Sequence, residues 1–275
     1  MSRKKLILAC SICVMAMAVM LSGCGKSIKS GKLSVVTTIF PEYDWTMQIL
    51  GDKAKNADVT MLMADGTDLH SYQPSAKDIE KIFKCDVFVY VGGESDEWVE
   101  DVLKEAKKKN KNMRVVNLMN ALGDAVKEEE VKEGMQAEEH EHEHEHGEEA
   151  KGHDHEHEHE HGEAEKDEHV WLSVRNAKVC SKAIADALSK ADSKNADEYK
   201  KSLNAYSEKL DELDKKYEKT VKAASTKTLV FGDRFPFRYM VSDYGLDYYA
   251  AFIGCSAETE ASFETITFLS QKVDE

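Results

Sequence analysis

The chain has 275 residues and a formal net charge of −15, with 52 Asp and Glu residues against 37 Lys and Arg residues. The positive charges form no basic patch, so the composition excludes nucleic acid as a partner. Of the six cysteines, only Cys85, Cys180 and Cys255 lie beyond residue 24. They are widely spaced, and their odd number argues against a full disulfide framework.

The N-terminus predicts a secretory signal followed by a lipid attachment site. Three basic residues at positions 3–5 precede an apolar run over residues 6–21, which is short for a membrane span. The run ends in LSGC, which resembles the lipobox of bacterial lipoproteins. We therefore expect a signal peptide over residues 1–23, a lipid on Cys24 and a short tether over residues 24–32. An ordinary signal or an anchor helix is the alternative.

Residues 33–137 predict an N-terminal α/β lobe. Short valine-rich runs alternate with helical patterns, which is typical of βαβ units and a parallel sheet with helices on both faces. Ligands of such sheets bind beyond the carboxyl ends of the strands. His70 lies in the loop after the second run and is a candidate site residue. The predicted strands are residues 33–39, 59–63, 87–91 and 113–117, and the predicted helices are residues 42–50, 75–83 and 97–109.

Residues 138–168 predict a disordered, metal-binding loop. The segment holds fifteen acidic residues, two lysines and almost nothing apolar to bury. Neutral imidazole is a ligand for zinc, copper and nickel, so we expect many weak sites on one tether. A solvated acidic linker without a metal role is the alternative. Its nine clustered histidines are His140, His142, His144, His146, His153, His155, His157, His159 and His161.

The rest of the chain predicts a linking region and a second α/β lobe. Residues 169–224 contain two amphipathic helices, at about 173–189 and 195–221, long enough to connect two lobes. Residues 225–275 predict strands at 228–231 and 248–252 and helices near 236–242 and from 261. With room for two strands only, we expect this C-terminal lobe to be incomplete and the chain to be a fragment.

Several motifs carry a resemblance to a known family. They are GTDLHSYQPS at residues 66–75, DVFVYVG at 86–92, HVWL at 169–172 and YGL at 244–246. In these stretches the chain resembles the zinc and manganese receptors of bacterial ABC importers, which are solute-binding lipoproteins. The resemblance implies two α/β lobes joined by a long rigid helix, with a metal cleft between them. It also implies that His70 and His169 are metal ligands.

The sequence departs from the family at the third ligand. The family carries a ligand ten residues before the tyrosine of YGL, and that position is Arg234 here. Arginine stays protonated and cannot bind a metal. The fourth ligand of the family would fall beyond Glu275. Glu258 and Cys255 are candidate replacements, and Arg234 is expected to pair with Glu258 or Glu260.

These features predict an extracytoplasmic zinc receptor, anchored to the membrane by its lipid. It would deliver Zn²⁺ to an ABC permease driven by a cytoplasmic ATPase, and we expect a monomer. Copper and nickel remain possible as the bound ion, whereas a site with two imidazoles disfavours manganese. A cell-surface metal buffer and an adhesin are the alternatives. An enzyme is the least favoured class, because no nucleophile and base occur in a recognisable arrangement.

Overall fold

The computed structural model of the protein describes residues 31–64, 66–136, 165–256 and 260–275. The predicted signal peptide, Cys24, the nine clustered histidines and Glu258 lie outside the described residues. All helices and strands of the described part belong to one compact unit, Leu33–Glu275. None of these helices is both long enough and apolar enough to cross a membrane.

Four parallel strands form the N-terminal sheet, in the order β2-β1-β3-β4. Helices connect successive strands, as the alternating sequence pattern predicted, and the architecture is α/β. In chain order the elements are β1 (Leu33–Thr37), α1 (Phe40–Leu50), β2 (Ala57–Met61), α2 (Ala76–Lys84), β3 (Val87–Tyr90), α3 (Trp98–Lys109), β4 (Arg114–Asn117) and α4 (Leu118–Leu122).

The sheet is buried on both faces because successive side chains of a strand point to opposite sides. Val35 and Val89 join one hydrophobic core, which also contains residues of α1. Val36 and Phe88 join a second core with residues of α2 and α3. This two-sided burial explains why consecutive residues of the central strands, Val35 and Val36 in β1 and Val87–Val89 in β3, are apolar rather than alternate ones.

A buried carboxylate ends β1 two residues before the predicted boundary. Glu42 is fully buried, and its Oε2 accepts the backbone N–H of Thr38 at 2.8 Å and that of Ile39 at 3.3 Å. These bonds satisfy donors at the start of α1, so the chain turns into the helix there. Burial, and next the nearby Asp96, raise the pKa of Glu42 well above its usual value.

Two antiparallel helices pack beside the N-terminal sheet. Helix α5 (Val174–Ala191) buries the predicted stripe of Ala177, Cys180, Ile184, Ala187 and Leu188. Helix α6 (Ala196–Ala223) contacts α5 and α1 and spans about 42 Å at 1.5 Å per residue. Tyr199 and Leu210 of this helix are buried, whereas Leu213 and Tyr217, nearer its end, are exposed. The helix thus leaves the main core before the chain enters the second sheet.

The C-terminal sheet consists of two parallel strands. Its elements are β5 (Thr228–Phe235), α7 (Arg238–Tyr244), β6 (Asp247–Ile253) and α8 (Phe263–Asp274). Strand β5 runs four residues beyond the predicted end at residue 231, past an irregularity between Phe231 and Arg234. Phe235 stacks on Tyr248 with ring centroids 3.6 Å apart, which fixes the far end of β5 on β6.

The predicted boundary of the acidic loop at residue 168 was wrong. Lys166 pairs with Glu128 in an antiparallel bridge, and the side chains of Asp167 and Glu168 are fully buried. Buried carboxylates need hydrogen-bond partners, and these two have partners around the histidines described below. Residues 165–168 therefore belong to the folded unit.

Candidate metal centre

His70 lies at the carboxyl edge of the N-terminal sheet, where the predicted parallel topology places a ligand site. A short 3₁₀ turn, Leu69–Ser71, holds it after β2. The Asp68 Oδ1 atom caps this turn by accepting the backbone N–H of His70 at 3.0 Å. The His70 Nδ1 atom lies 2.9 Å from Ser95 Oγ, in the loop after β3. The ring is thus oriented by the loops that follow β2 and β3, the two strands that flank β1.

His169 is buried and is held by a single carboxylate. Asp167 Oδ1 accepts both the backbone N–H of His169, at 2.8 Å, and its ring Nδ1, at 2.9 Å. A carboxylate only accepts hydrogen bonds, so Nδ1 carries the proton and Nε2 keeps its lone pair. This arrangement orients a histidine for a metal ion. Tyr239 donates its hydroxyl to the carbonyl of Asp167, which fixes the segment against α7.

The structure brings the two predicted histidines together, with ring centroids 5.4 Å apart. Each has Nδ1 engaged by a neighbour, so Nε2 is the ring nitrogen that each can offer to a metal. Burial lowers the pKa of His70, and the neighbouring His169 lowers it further. The neutral form of His70, which a metal ligand requires, is thereby favoured.

A third donor comes from the end of β6. One ligand atom each from His70, His169 and Cys255 lie within 4.8 Å of one another. The backbone N–H of Cys255 donates to Glu129 Oε1 at 3.2 Å. Burial, and next the Glu129 carboxylate, raise the pKa of the Cys255 thiol. Cys255 was one of two candidates that the sequence offered, and the other, Glu258, lies outside the described residues.

Sequence reasoning missed Asp167 and Glu168, the two acidic residues that support the histidines. Glu168 Oε1 accepts the backbone N–H of Ser95 at 2.7 Å, and Glu168 Oε2 lies 3.9 Å from His70 Nδ1. Gly93 makes room for this carboxylate: its φ is +85°, and a Cβ there would lie 2.4 Å from Glu168 Oε1. Burial, with a smaller effect of Glu168, raises the pKa of Asp96 to about 6. The only sequence signal for Asp167 and Glu168 was their position directly before His169.

The cleft that contains His70 and Cys255 is strongly acidic. It has a volume of about 630 Å³, and Arg234 is the cationic residue among its described lining. Such a lining concentrates divalent cations near the histidines. The acidic residues of the lining are Asp68, Glu94, Glu97, Glu165 and Glu168.

Arg234 projects into this cleft from the C-terminal sheet, as the motif spacing predicted. Its Nη1 atom lies 3.6 Å from Asp68 Oδ2. The sequence had suggested Glu258 or Glu260 as partners. Glu258 lies outside the described residues, so that pairing stays a prediction. Asp68 is the residue that caps the turn of His70. The arginine therefore contacts the ligand turn rather than replacing a ligand.

The family model described as ZnuA, zinc-uptake complex component A, periplasmic, matches residues 35–275. The chain belongs to this family. Its motifs therefore identify the correct family, and His70 and His169 lie together within the matched region.

Two similar proteins of known name agree with the family match. The chain is 35% identical over 274 residues to the zinc-binding lipoprotein AdcA of Streptococcus pneumoniae, covering 98% of this chain and 48% of that protein. It is 34% identical over 240 residues to the high-affinity zinc uptake system protein ZnuA of Bacillus subtilis, covering 85% and 67%. The chain spans about half the length of AdcA.

A solved structure supports the fold. The Zn(II)-bound ZnuA-like domain of Streptococcus pneumoniae AdcA superimposes with a TM-score of 0.62 at 32% identity. The match covers 89% of this chain and 75% of that chain. The α/β architecture described above is thus the architecture of this domain.

Proposed function

We propose that the protein is an extracytoplasmic receptor that captures Zn²⁺ and delivers it to an ABC permease and its cytoplasmic ATPase. One observation carries the proposal: His70 and His169 converge, and Nδ1 of each ring is hydrogen-bonded to a neighbour, so that Nε2 is the nitrogen that each can offer. Family membership and the names of the relatives support zinc as the ion. Capture and release need no covalent chemistry, so the role is that of a receptor and not an enzyme.

The site suits a borderline-soft divalent ion. Imidazole nitrogen binds zinc well, and the acidic cleft attracts a doubly charged ion before the ligands engage it. Asp167 and Ser95 fix the two rings before the metal arrives, so little ordering is needed on binding. The His70 side chain is about one-fifth exposed, which gives the ion a path in and a path out.

The membrane anchor and the histidine-rich segment complete the proposal. The LSGC sequence supports lipid attachment at Cys24, and a relative carries the name lipoprotein. The anchor would keep the receptor beside its permease. The clustered histidines would raise the local zinc concentration near the cleft, as a linked second binding module does.

The test is a zinc titration of the full chain against a competing chelator. We expect the double variant His70→Ala/His169→Ala to weaken zinc binding at the strongest site by roughly a hundredfold or more. Removing even one residue that supports a metal ligand lowers metal affinity by about 10–100-fold, and here two ligands are lost. His153→Ala/His155→Ala is the matched control, since it removes two imidazoles from the clustered run and should leave the strongest site unchanged. Equal effects of the two double variants would overturn the proposed site.

Growth under zinc limitation tests the transport role. Cells that lack the chain should stop growing when zinc is chelated and should recover with the wild-type chain. The variant His70→Ala/His169→Ala should not restore growth. Normal growth without the chain would instead favour a surface metal buffer.

A further inference from the structure

We propose that Cys255 is a metal ligand, so that the site binds zinc through two imidazoles and one thiolate. This proposal rests on the proposed function, since it concerns the same bound ion. It adds a donor from the C-terminal sheet, and with it a preference for zinc and softer, thiophilic ions.

The distances fit this assignment. Tetrahedral zinc with Zn–N of about 2.0–2.1 Å and Zn–S of about 2.3 Å separates its ligand atoms by roughly 3.3–3.6 Å. The three donor atoms already lie within 4.8 Å of one another. A side-chain rotation, or a small approach of the two sheets, closes the remaining gap. Zinc bound by three protein ligands keeps a fourth position for water or another donor.

The chain around Cys255 is built to hold the thiol beside His169. Gly254 precedes it, and a Cβ at that position would lie 3.0 Å from both Cε1 and Nδ1 of His169. The absence of a side chain there lets the end of β6 approach the ring closely. On the other side, Glu129 accepts the backbone N–H of Cys255. The thiol is thus positioned from two directions.

A second group of possible ligands competes with this one and is the weaker candidate. Glu129, Asp167 and His169 also offer atoms within 4.8 Å of one another. Asp167 Oδ1, however, already accepts two N–H groups of His169. A metal at Nδ1 would break the bond that orients the ring, whereas a metal at Nε2 keeps it. The carboxylates therefore support the ligands, and the thiol completes them.

The donor set defines which ions the site accepts. Thiolate ligands select zinc, cadmium and Cu(I), whereas carboxylate and water suit manganese. The other described cysteines do not compete, because Cys85 and Cys180 are fully buried in the two cores of the N-terminal sheet. A thiolate signal from a bound metal is thus expected from Cys255.

Substitution by Co²⁺ tests the assignment with the full, reduced chain. A thiolate bound to Co²⁺ gives an intense sulfur-to-metal charge-transfer band in the near ultraviolet, which imidazole and carboxylate ligands do not give. We expect the wild-type chain to show this band at one Co²⁺ per chain. We expect Cys255→Ser to lose the band and to bind zinc at least tenfold more weakly. Cys180→Ala is the matched control and should keep both the band and the affinity.

The outcomes separate this proposal from the proposed function. If no thiolate band appears, or if the band survives in Cys255→Ser, Cys255 is not a ligand, even where the strongest zinc site still needs His70 and His169. If that site does not need the histidines, the proposed function fails instead. Alkylation provides a second readout: zinc should protect Cys255 from iodoacetamide in the wild-type chain but not in His70→Ala/His169→Ala. Equal labelling with and without zinc would contradict ligation.

Discussion

The N-terminal and C-terminal sheets hold their cleft residues in different ways. On the N-terminal side, His70 and His169 have hydrogen-bonded rings, and the acids behind them are fully buried. On the C-terminal side, Cys255 and Arg234 are half-buried, as His70 also is. Their described contacts in the cleft include one backbone hydrogen bond of Cys255 and a 3.6 Å ion pair of Arg234.

This difference separates a fixed half of the site from an adjustable half. A ligand whose ring is already held by a hydrogen bond loses little entropy on binding and contributes most to affinity. A half-exposed ligand can move, and its loss leaves a solvated gap instead of an unsatisfied buried group. We therefore expect changes behind the histidines to cost more than changes on the C-terminal side, and the following substitutions test that order.

The largest effect should come from Gly93→Ala. A residue with a side chain at φ +85° is strained by about 1–2 kcal/mol. The new Cβ would also lie 2.4 Å from Glu168 Oε1, so the buried carboxylate would lose its hydrogen bond to Ser95. We expect a loss of roughly 2–5 kcal/mol in the free energy of unfolding of the metal-free chain, because the unsatisfied acid adds about 1–3 kcal/mol to the strain. Urea denaturation measures this loss.

Gly123→Ala is the matched control. Gly123 has φ +54°, but a Cβ there has no neighbour within 4 Å. It should cost the backbone strain alone and leave zinc affinity unchanged, whereas Gly93→Ala should lower both stability and affinity. Equal losses from the two substitutions would show that Glu168 moves aside freely and is not part of a fixed half.

The next effect should come from Asp167→Asn. The amide can present its NH₂ group to His169 Nδ1, which favours the tautomer with a proton on Nε2 and removes the lone pair that a metal needs. We expect zinc affinity to fall by about 10–100-fold, in line with other partners of metal-bound histidines. Chelator competition measures the fall.

Glu129→Gln is the comparison on the C-terminal side. Glutamine keeps an oxygen for the backbone N–H of Cys255, so we expect a smaller loss than for Asp167→Asn. A larger loss for Glu129→Gln would reverse the order of the two halves.

The N-terminal half of the fold could be predicted in most respects. The valine-rich runs predicted four strands to within two residues of their observed ends. A strand that is buried on both faces appears in the sequence as a short continuous apolar run, which is easily recognised. The strand order could not be predicted, since an apolar run does not encode its neighbour. His70 and His169 were predicted because each lies in a motif of the family.

The supporting residues of the site could not be predicted. Asp167 and Glu168 end a long run of acidic residues, and only burial distinguishes them from their solvated neighbours. The contact of Arg234 with Asp68 joins two sheets that are remote in sequence, so no local pattern encodes it. Cys255 stayed one of two candidates until the structure placed it beside His169.

The smallest effect should come from Arg234→Gln, which removes a positive charge from the cleft. The electric field of the guanidinium reaches the site, because Arg234 helps to lower the pKa of His70. Its contribution is smaller than those of burial and of His169. Asp68 and solvent offset much of the repulsion between the arginine and the metal. We therefore expect zinc to bind about threefold more tightly, which corresponds to roughly 0.6–0.7 kcal/mol. Chelator competition at low and high salt measures the gain.

Salt dependence and a second substitution decide what the arginine does. A gain from lost repulsion should shrink at high salt, because screening weakens the interaction in the open cleft. Arg114→Gln, which removes an exposed charge outside the described lining of the cleft, should have no effect at either salt concentration. Arg234→His should give a gain of at least tenfold, about 1.4 kcal/mol, because it adds an imidazole. Weaker binding in both Arg234 variants would show that the arginine holds Asp68, and through it the turn of His70, so that the C-terminal side also helps to fix the ligands.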